Sequence, residues 1–211
     1  MKDKIINGLK WFYRSYIWLG IVLLGLDIFT KQLVSHLPVG ADGVIANWGF
    51  VHISFTLNEG AAFGMGTKDP MVNRIIYLIV ASLISIGLAV YLIFKRKETK
   101  LFVRASLIMV ITGAVGNMID RVFYGPLQGE TGLFTGRVVD WIDFYWFWKF
   151  IFNIADCCIV IAAFMLIIYV IVGEVKEVIA RRKVEASETK ILSKSEQERL
   201  EEDKKDAEES K

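Results

Sequence analysis

Cysteine and histidine are nearly missing from this chain. Only Cys157 and Cys158 occur in 211 residues, and they are adjacent. Neighbouring side chains on a helix point in different directions, so no bridge between them is expected. No spacing supports a zinc site or a disulfide framework. Small apolar filler in a packed helix is the expected role of both. His36 and His52 have no metal-ligand spacing, and each reads as an interfacial or loop residue. Net charge is only +2, so the total carries no electrostatic footprint for nucleic acid. No cleavable signal peptide is expected either. No small-x-small site closes the run Ile17 to Phe29; Asp27 and Lys31 appear there instead, so it reads as a retained first span. No internal repeat is present.

Apolar residues are abundant. The composition is 54% hydrophobic and 13% aromatic, with a mean hydropathy of +0.44. Four runs carry the excess: Tyr16 to Leu37, Met71 to Phe94, Leu101 to Phe123 and Phe152 to Val172. Each is near the ~20 residues that cross a hydrocarbon core.

Basic residues set an expected sidedness. Lys2, Lys4, Lys10 and Arg14 precede the first run. Lys95, Arg96, Lys97, Lys100 and Arg104 fill the short link between the second and third. Lys176, Arg181, Arg182 and Lys183 follow the fourth. By the positive-inside rule both termini are cytoplasmic and the two long loops lie outside. Asn47 to Leu57 is β-branched and aromatic with partial alternation, which predicts one or two short strands. Val138 to Phe150 carries Trp141, Tyr145, Trp146 and Trp148, a density that suits the membrane–water interface. The expected fold is an all-α membrane protein. It has four transmembrane helices, a small extracytoplasmic β-cradle and an interfacial aromatic segment. Residues 1–173 form the membrane domain. Residues 174–211 form a charged cytoplasmic tail, read as a solvated helix that frays into disorder. Gly125 to Gly136, rich in Gly and polar residues, reads as a flexible excursion, either a lid or a tolerated insertion.

The polar residues inside the apolar runs do not scatter in depth. Asp27 and Lys31 fall toward the outer end of the first span. Asn117, Asp120 and Arg121 fall at the outer end of the third. Asn153 and Asp156 begin the fourth. A rise of ~1.5 Å per residue puts them all near one level. A carboxylate in a lipid-facing segment is expensive, so Asp156 reads as functional. Asp140, after Val138-Val139, provides a second acid. Gly113, Gly116, Asn117 and Asp120 share one helical face, where the glycines admit a close neighbour. Plainer readings exist for several of these. Asp27 and Lys31 pair at i, i+4 with Lys31 snorkelling outward. Asp120 and Arg121 form a scaffold pair. Asp143 is an interfacial loop acid. Asn58-Glu59-Gly60-Ala61-Ala62-Phe63-Gly64 is a turn in which Asn58 offers both donor and acceptor.

Together these pieces resemble the lipoprotein signal peptidase family, also called signal peptidase II. The resemblance covers about residues 16 to 173. It rests on Asp27-x-x-x-Lys31, Asn58-x-Gly60-Ala61-Ala62-Phe63, Gly113-x-x-Gly116-Asn117-x-x-Asp120-Arg121, Val138-Val139-Asp140 and Phe152-Asn153-x-Ala155-Asp156. It implies a monomeric aspartic peptidase of the bacterial inner membrane with its active site near the outer face. The implied substrate is a diacylglyceryl-modified prolipoprotein, cleaved before the lipidated cysteine. By match of motif, Asp140 and Asp156 are the catalytic aspartates. Asn58 and Arg121 match residues that hold substrate or the antibiotic globomycin, and Asn117 and Asn153 match polar neighbours of the dyad. Asp27, Lys31 and Asp120 match supporting positions. No cofactor and no metal are implied, and the partners are the substrate and membrane lipid.

The chain departs from the family pattern in four places. The link from Arg121 to Asp140 is longer than usual, Ala114 stands where a second Gly is common, Trp141 follows the Val-Val-Asp motif, and the tail extends past the usual end. Two other classes compete: a small transporter or proton-coupled channel, and a structural or chaperone-like membrane subunit. Transport would favour carboxylates at several depths, and a purely structural subunit leaves the two acids unexplained.

Overall fold

The computed structural model describes residues 2–59, 69–146 and 148–209. The Gly60 to Gly64 part of the Asn58 motif lies outside the described residues. The chain divides into two units, Met1–Leu166 and Ile167–Lys211.

In the first unit, α1 (Lys2–Ser15) precedes α2 (Ile17–Ser35). α1 was not legible as a separate element in the sequence. Tyr16 divides the two helices by adopting a left-handed backbone, φ 61°, which is unfavourable for a bulky residue. Around it, the Ile17 N–H donates to Ser15 Oγ at 3.2 Å and Trp18 Nε1 donates to the Tyr13 carbonyl at 3.0 Å. α3 (Pro70–Lys95) starts at Asp69, whose carboxylate accepts from the Met71 and Val72 N–H groups. Pro70 at the first helical position suits that start, because its missing N–H would be orphaned anyway. α4 (Leu101–Phe123) follows a short link, and α5 (Ile154–Glu209) closes the described chain.

Among the described residues, four helices are long and apolar enough to cross a membrane: Ile17–Ser35, Pro70–Lys95, Leu101–Phe123 and Ile154–Ser187. The four predicted runs are therefore all present. α4 is the most enclosed, with 44% of its apolar window buried against 17% in α2 and 11% in α3. Exposed apolar faces on α2 and α3 are the normal outcome where lipid is the solvent. Met109, Cys158 and Ala162 pack against Leu19, Leu23 and Val110, so Cys158 is core filler.

Among the described residues, four strands form one antiparallel sheet in the order β1 (Val44–Asn47), β2 (His52–Asn58), β3 (Val138–Asp143) and β4 (Ile151–Phe152). Leu57 pairs with Val139 and Thr56 with Asp140, past an irregularity between Ile53 and Thr56. Side chains alternate along a strand. Asn58 and Thr56 therefore share the face of Asp140. The aromatic segment ties back to the β1–β2 turn. The Tyr145 hydroxyl donates to the Gly49 carbonyl at 3.1 Å and Trp146 Nε1 to the Phe50 carbonyl at 3.0 Å.

Three readings of the sequence change. Asp143 ends β3 rather than lying in a loop, and accepts from Ser54 Oγ at 3.0 Å. The excursion after α4 is fastened at several points. Gln128 clamps the backbone of Arg137 in both directions, at 2.7 and 2.8 Å, and Arg74 of α3 donates to the Phe134 carbonyl at 3.2 Å. A Cβ on Gly136 would run into the Asp120 carbonyl oxygen, so this Gly admits the close approach of loop to helix. In the second unit, the helix continues through Glu209 instead of fraying. Glu, Lys and Arg are good helix formers, and the Arg181–Glu177 pair at 2.6 Å is the i, i+4 kind that supports an exposed helix.

Candidate active site

The start of α5 organises the site. Asn153 sits at its N-cap. Asn153 Oδ1 accepts from the Asp156 N–H at 2.9 Å, and Asp156 Oδ2 accepts in return from the Asn153 N–H at 3.2 Å. This is a capping box, with Asp in the place usually held by Glu or Gln. The Asn-x-x-Asp spacing was the sequence signal for it. The Ala155 N–H, another donor that a helix start leaves unpaired, reaches Asp27 Oδ1 of α2 at 2.8 Å.

Asn153 also joins the two acids. Its Nδ2 donates to Asp140 Oδ1 at 2.6 Å and to Asn117 Oδ1 at 3.1 Å. Asn58 Nδ2 donates to the other Asp140 oxygen at 2.9 Å. Asn117 Nδ2 donates to Asp156 Oδ1 at 2.7 Å. Each carboxyl is thereby oriented by neutral amides, which fix it without neutralising it.

Beneath them lies a buried ion cluster. Lys31 Nζ is 2.8 Å from Asp27 and 2.9 Å from Asp120, with neither side of the cluster more than 1% exposed. Lys31 also donates to Asn117 Oδ1 at 3.1 Å. It is wholly buried and does not snorkel. Two carboxylates and an amide oxygen hold it inside more firmly than headgroup water draws it out. Asp120 does not form a scaffold pair with its neighbour Arg121. It faces Lys31 and accepts from the Val139 N–H at 3.2 Å, because adjacent helical residues diverge. Arg121 instead donates to the Asn117 carbonyl at 2.9 Å and lies over the Tyr77 ring at 5.3 Å.

The glycine face of α4 makes this proximity possible. A Cβ on Gly113 would collide with the Ala155 carbonyl and Ile159, and one on Gly116 would stand 2.7 Å from Asp27 Oδ2.

Two cavities share Asp156, and the larger also reaches Asp140. One, of about 640 Å³, is lined by Asn58, Asp140, Phe150, Phe152 and Asp156. The other, of about 330 Å³, is bounded by Tyr77, Asn117, Arg121 and Asp156. Asp140 is 2% exposed. Burial first, and then the nearby Asp156 carboxylate, push its pKa up to about 7.

Sequence reasoning missed Tyr77 and Phe150, because an aromatic in an apolar or interfacial stretch carries no distinguishing signal. His36 and His52 stay out of the network: His36 bonds the Gln32 carbonyl at 2.7 Å and His52 stacks on Tyr145 at 3.8 Å.

The family model for signal peptidase (SPase) II matches residues 19–172. The chain belongs to the signal peptidase II family. Lipoprotein signal peptidase of Clostridioides difficile (strain 630) is 35% identical over 161 residues, 76% of this chain and 97% of that protein. The Fusobacterium nucleatum enzyme of the same name is 34% identical over 155 residues, 72% and 84% of the two chains. A bacterial membrane enzyme structure obtained by the in meso method at 1.9 Å resolution superposes with a TM-score of 0.58 at 28% identity, covering 74% of this chain and 92% of that one. This signal peptidase II is thus a multi-pass membrane protease. Its family match contains every residue of the network above and begins after α1.

Proposed function

We propose that this protein is a membrane aspartic endopeptidase that removes signal peptides from diacylglyceryl-modified bacterial prolipoproteins, cutting before the lipidated cysteine. The observation that carries the reading is the coupling of Asp140 and Asp156 through Asn153, with both acids lining the cavity of about 640 Å³. Like charges so placed do not both ionise easily, and one proton is shared between them.

The ionised member takes a proton from a bound water as the water oxygen attacks the scissile carbonyl carbon. The neutral member donates its proton to the carbonyl oxygen. Collapse of the tetrahedral intermediate breaks the C–N bond, and the leaving amine carries away a proton. Asn117 and Asn153 orient the acids. Asn58 and Arg121 hold the substrate backbone; the Arg121 Nε, buried without a partner among the described residues, is a free donor for it. Asp27, Lys31 and Asp120 form the rigid support. No step calls for a cofactor.

In this reading both termini are cytoplasmic and the acids lie near the outer face of the inner membrane, which the distribution of Lys and Arg supports. Residues 1–173 form the peptidase domain and 174–211 a charged tail, and the enzyme acts as a monomer. The substrate's acyl chains stay in the bilayer while the scissile bond meets the acids. The test is incubation of purified protein with a diacylglyceryl-modified precursor. Cleavage that globomycin blocks, and that fails on the unlipidated precursor, is expected. Equal cleavage of both precursors would overturn the substrate assignment.

A further inference from the structure

A second site lies at the other end of α4. Arg104 and Asp120 are on the same helix, and the rise per residue separates them by about 24 Å. Here the amphipathic α1 closes against the α3–α4 link. Lys4, Lys10 and Arg14 alternate on it with exposed Ile5, Leu9, Trp11 and Tyr13, the composition of a helix lying in a membrane interface. Arg96 Nη2 donates to the Trp11 carbonyl at 3.0 Å and its guanidinium lies 4.7 Å from the Trp11 ring. Arg104 Nη1 donates to the Arg14 carbonyl at 2.7 Å.

These contacts border a cavity of about 690 Å³, distinct from those at the acids. Its walls are apolar, with Ile17, Leu92 and Ile108 among them, and its charged members are Arg96, Lys97 and Arg104. Among the described residues, no carboxylate lines it. Arg104 is only 7% exposed. Its other Nη donates to the Arg96 and Thr99 carbonyls. Those bonds satisfy hydrogens but supply no counter-charge beyond the partial charge of helix ends. Among the described residues, the Nε atoms of both Arg104 and Arg96 are buried without a partner. Among the described residues, no carboxylate stands within ion-pair distance of Arg96, Lys97 or Arg104; the nearby Glu98 is taken by Lys95 at 2.9 Å. An arginine cannot relieve this by losing its proton.

A cluster of unpaired cations at one end of an apolar cleft, at the level of an interfacial helix, has the chemistry of a receptor for an anionic amphiphile. We propose that this cleft binds an anionic phospholipid of the surrounding bilayer. The phosphate sits against Arg96, Lys97 and Arg104, and an acyl chain runs along Ile17, Leu92 and Ile108. A free phosphate would leave the apolar walls unused, and a zwitterionic lipid brings its own cation to a cationic site. The Trp11–Ile17 wall precedes the family match at residue 19. Part of the cleft wall thus comes from the segment before the match, while its cations lie within it; the proposal stands independently of the peptidase reading.

The test titrates the purified full-length protein, in zwitterionic micelles, with phosphatidylglycerol, phosphatidylcholine or inorganic phosphate, and counts bound lipid by native mass spectrometry. Phosphatidylglycerol is expected to bind about tenfold more tightly than phosphatidylcholine. The preference is expected to shrink in Lys97→Gln, an exposed position that leaves the fold intact, and to vanish in the Arg96→Gln/Lys97→Gln double variant. A photoreactive acyl chain is expected to label residues 11–17 and 89–111. Equal binding of the two lipids, full preference retained in the double variant, labelling elsewhere, or inorganic phosphate competing as well as the lipid would each overturn the proposal.

Discussion

The Asp27 carboxylate of α2 accepts a hydrogen bond from the Ala155 N–H at 2.8 Å, across 128 positions of sequence. Its other oxygen pairs with Lys31. One side chain therefore ties the first membrane helix to the start of the last, immediately beside Asp156. The ion cluster of Asp27, Lys31 and Asp120 thus bears on the position of a proposed catalytic acid without lining either cavity beside it.

Removing Lys31 tests the support. Lys31→Met leaves Asp27 and Asp120 buried without their cation, and a loss of about 3–5 kcal/mol is expected. Unfolding of the purified protein in micelles measures it. A triple change of Asp27→Asn, Lys31→Met and Asp120→Asn restores much of that loss, because no unpaired charge remains. If Lys31→Met unfolds like wild type, the cluster is not a support.

The acids themselves are tested by Asp140→Asn and Asp156→Asn. Each is expected to lower turnover of a lipidated precursor by at least about 100- to 10,000-fold while the protein still inserts. Undiminished cleavage by either variant would remove that residue from the mechanism.

Asp140 also predicts a pH dependence. Its pKa is held up to about 7, whereas an unfolded-chain aspartate titrates near ~3.9. Between the two the folded protein holds a proton that the unfolded chain lacks. The stability linked to this group is complete below about 4 and lost as pH rises through about 7. The Tm of wild type is expected to fall over that window more steeply than that of Asp140→Asn. Parallel Tm profiles would show that Asp140 does not titrate there. Under the proposed shared-proton mechanism, cleavage of a lipidated precursor is expected to decline as pH rises above about 7.

Asn153 has two separable roles. Asn153→Ser keeps an N-cap oxygen but loses the donor to Asp140, so kcat is expected to drop while stability changes little. Asn153→Ala loses the cap as well, at a cost of about 1 kcal/mol. Equal kcat in Asn153→Ser and wild type would confine Asn153 to capping.

Gly113→Ala places a methyl group against the Ala155 carbonyl and Ile159. Separating α4 from α5 is expected to cost about 1–3 kcal/mol and to lower activity, because the start of α5 carries Asp156. Thermal unfolding and cleavage assays on the same preparation check both, and an unchanged Tm would mean that the helices have room to spare.

Much of the fold was legible from residue order. The four spans were readable because length and hydropathy are local properties and ~20 apolar residues have one stable solution in a bilayer. β2 and the aromatic segment were readable from a short β-branched stretch and a Trp-rich one. α1 was not, because its charges looked only like the flank of a span. Asp143 looked like a loop acid because its strand partner, Ser54, is 89 positions away.

By itself, then, the sequence determined how many helices cross the bilayer, that their polar residues gather at one level, and which family motifs lie there. Tertiary structure decided the partners. Lys31 turns inward, Asp120 answers it rather than Arg121, and Asn153 links both acids while capping α5. Depth along a helix follows from counting residues, but azimuth and neighbour depend on how helices pack. In this chain that packing is set by Gly113 and Gly116, which let α4 approach α5 and α2 closely enough for short amide and carboxylate side chains to meet.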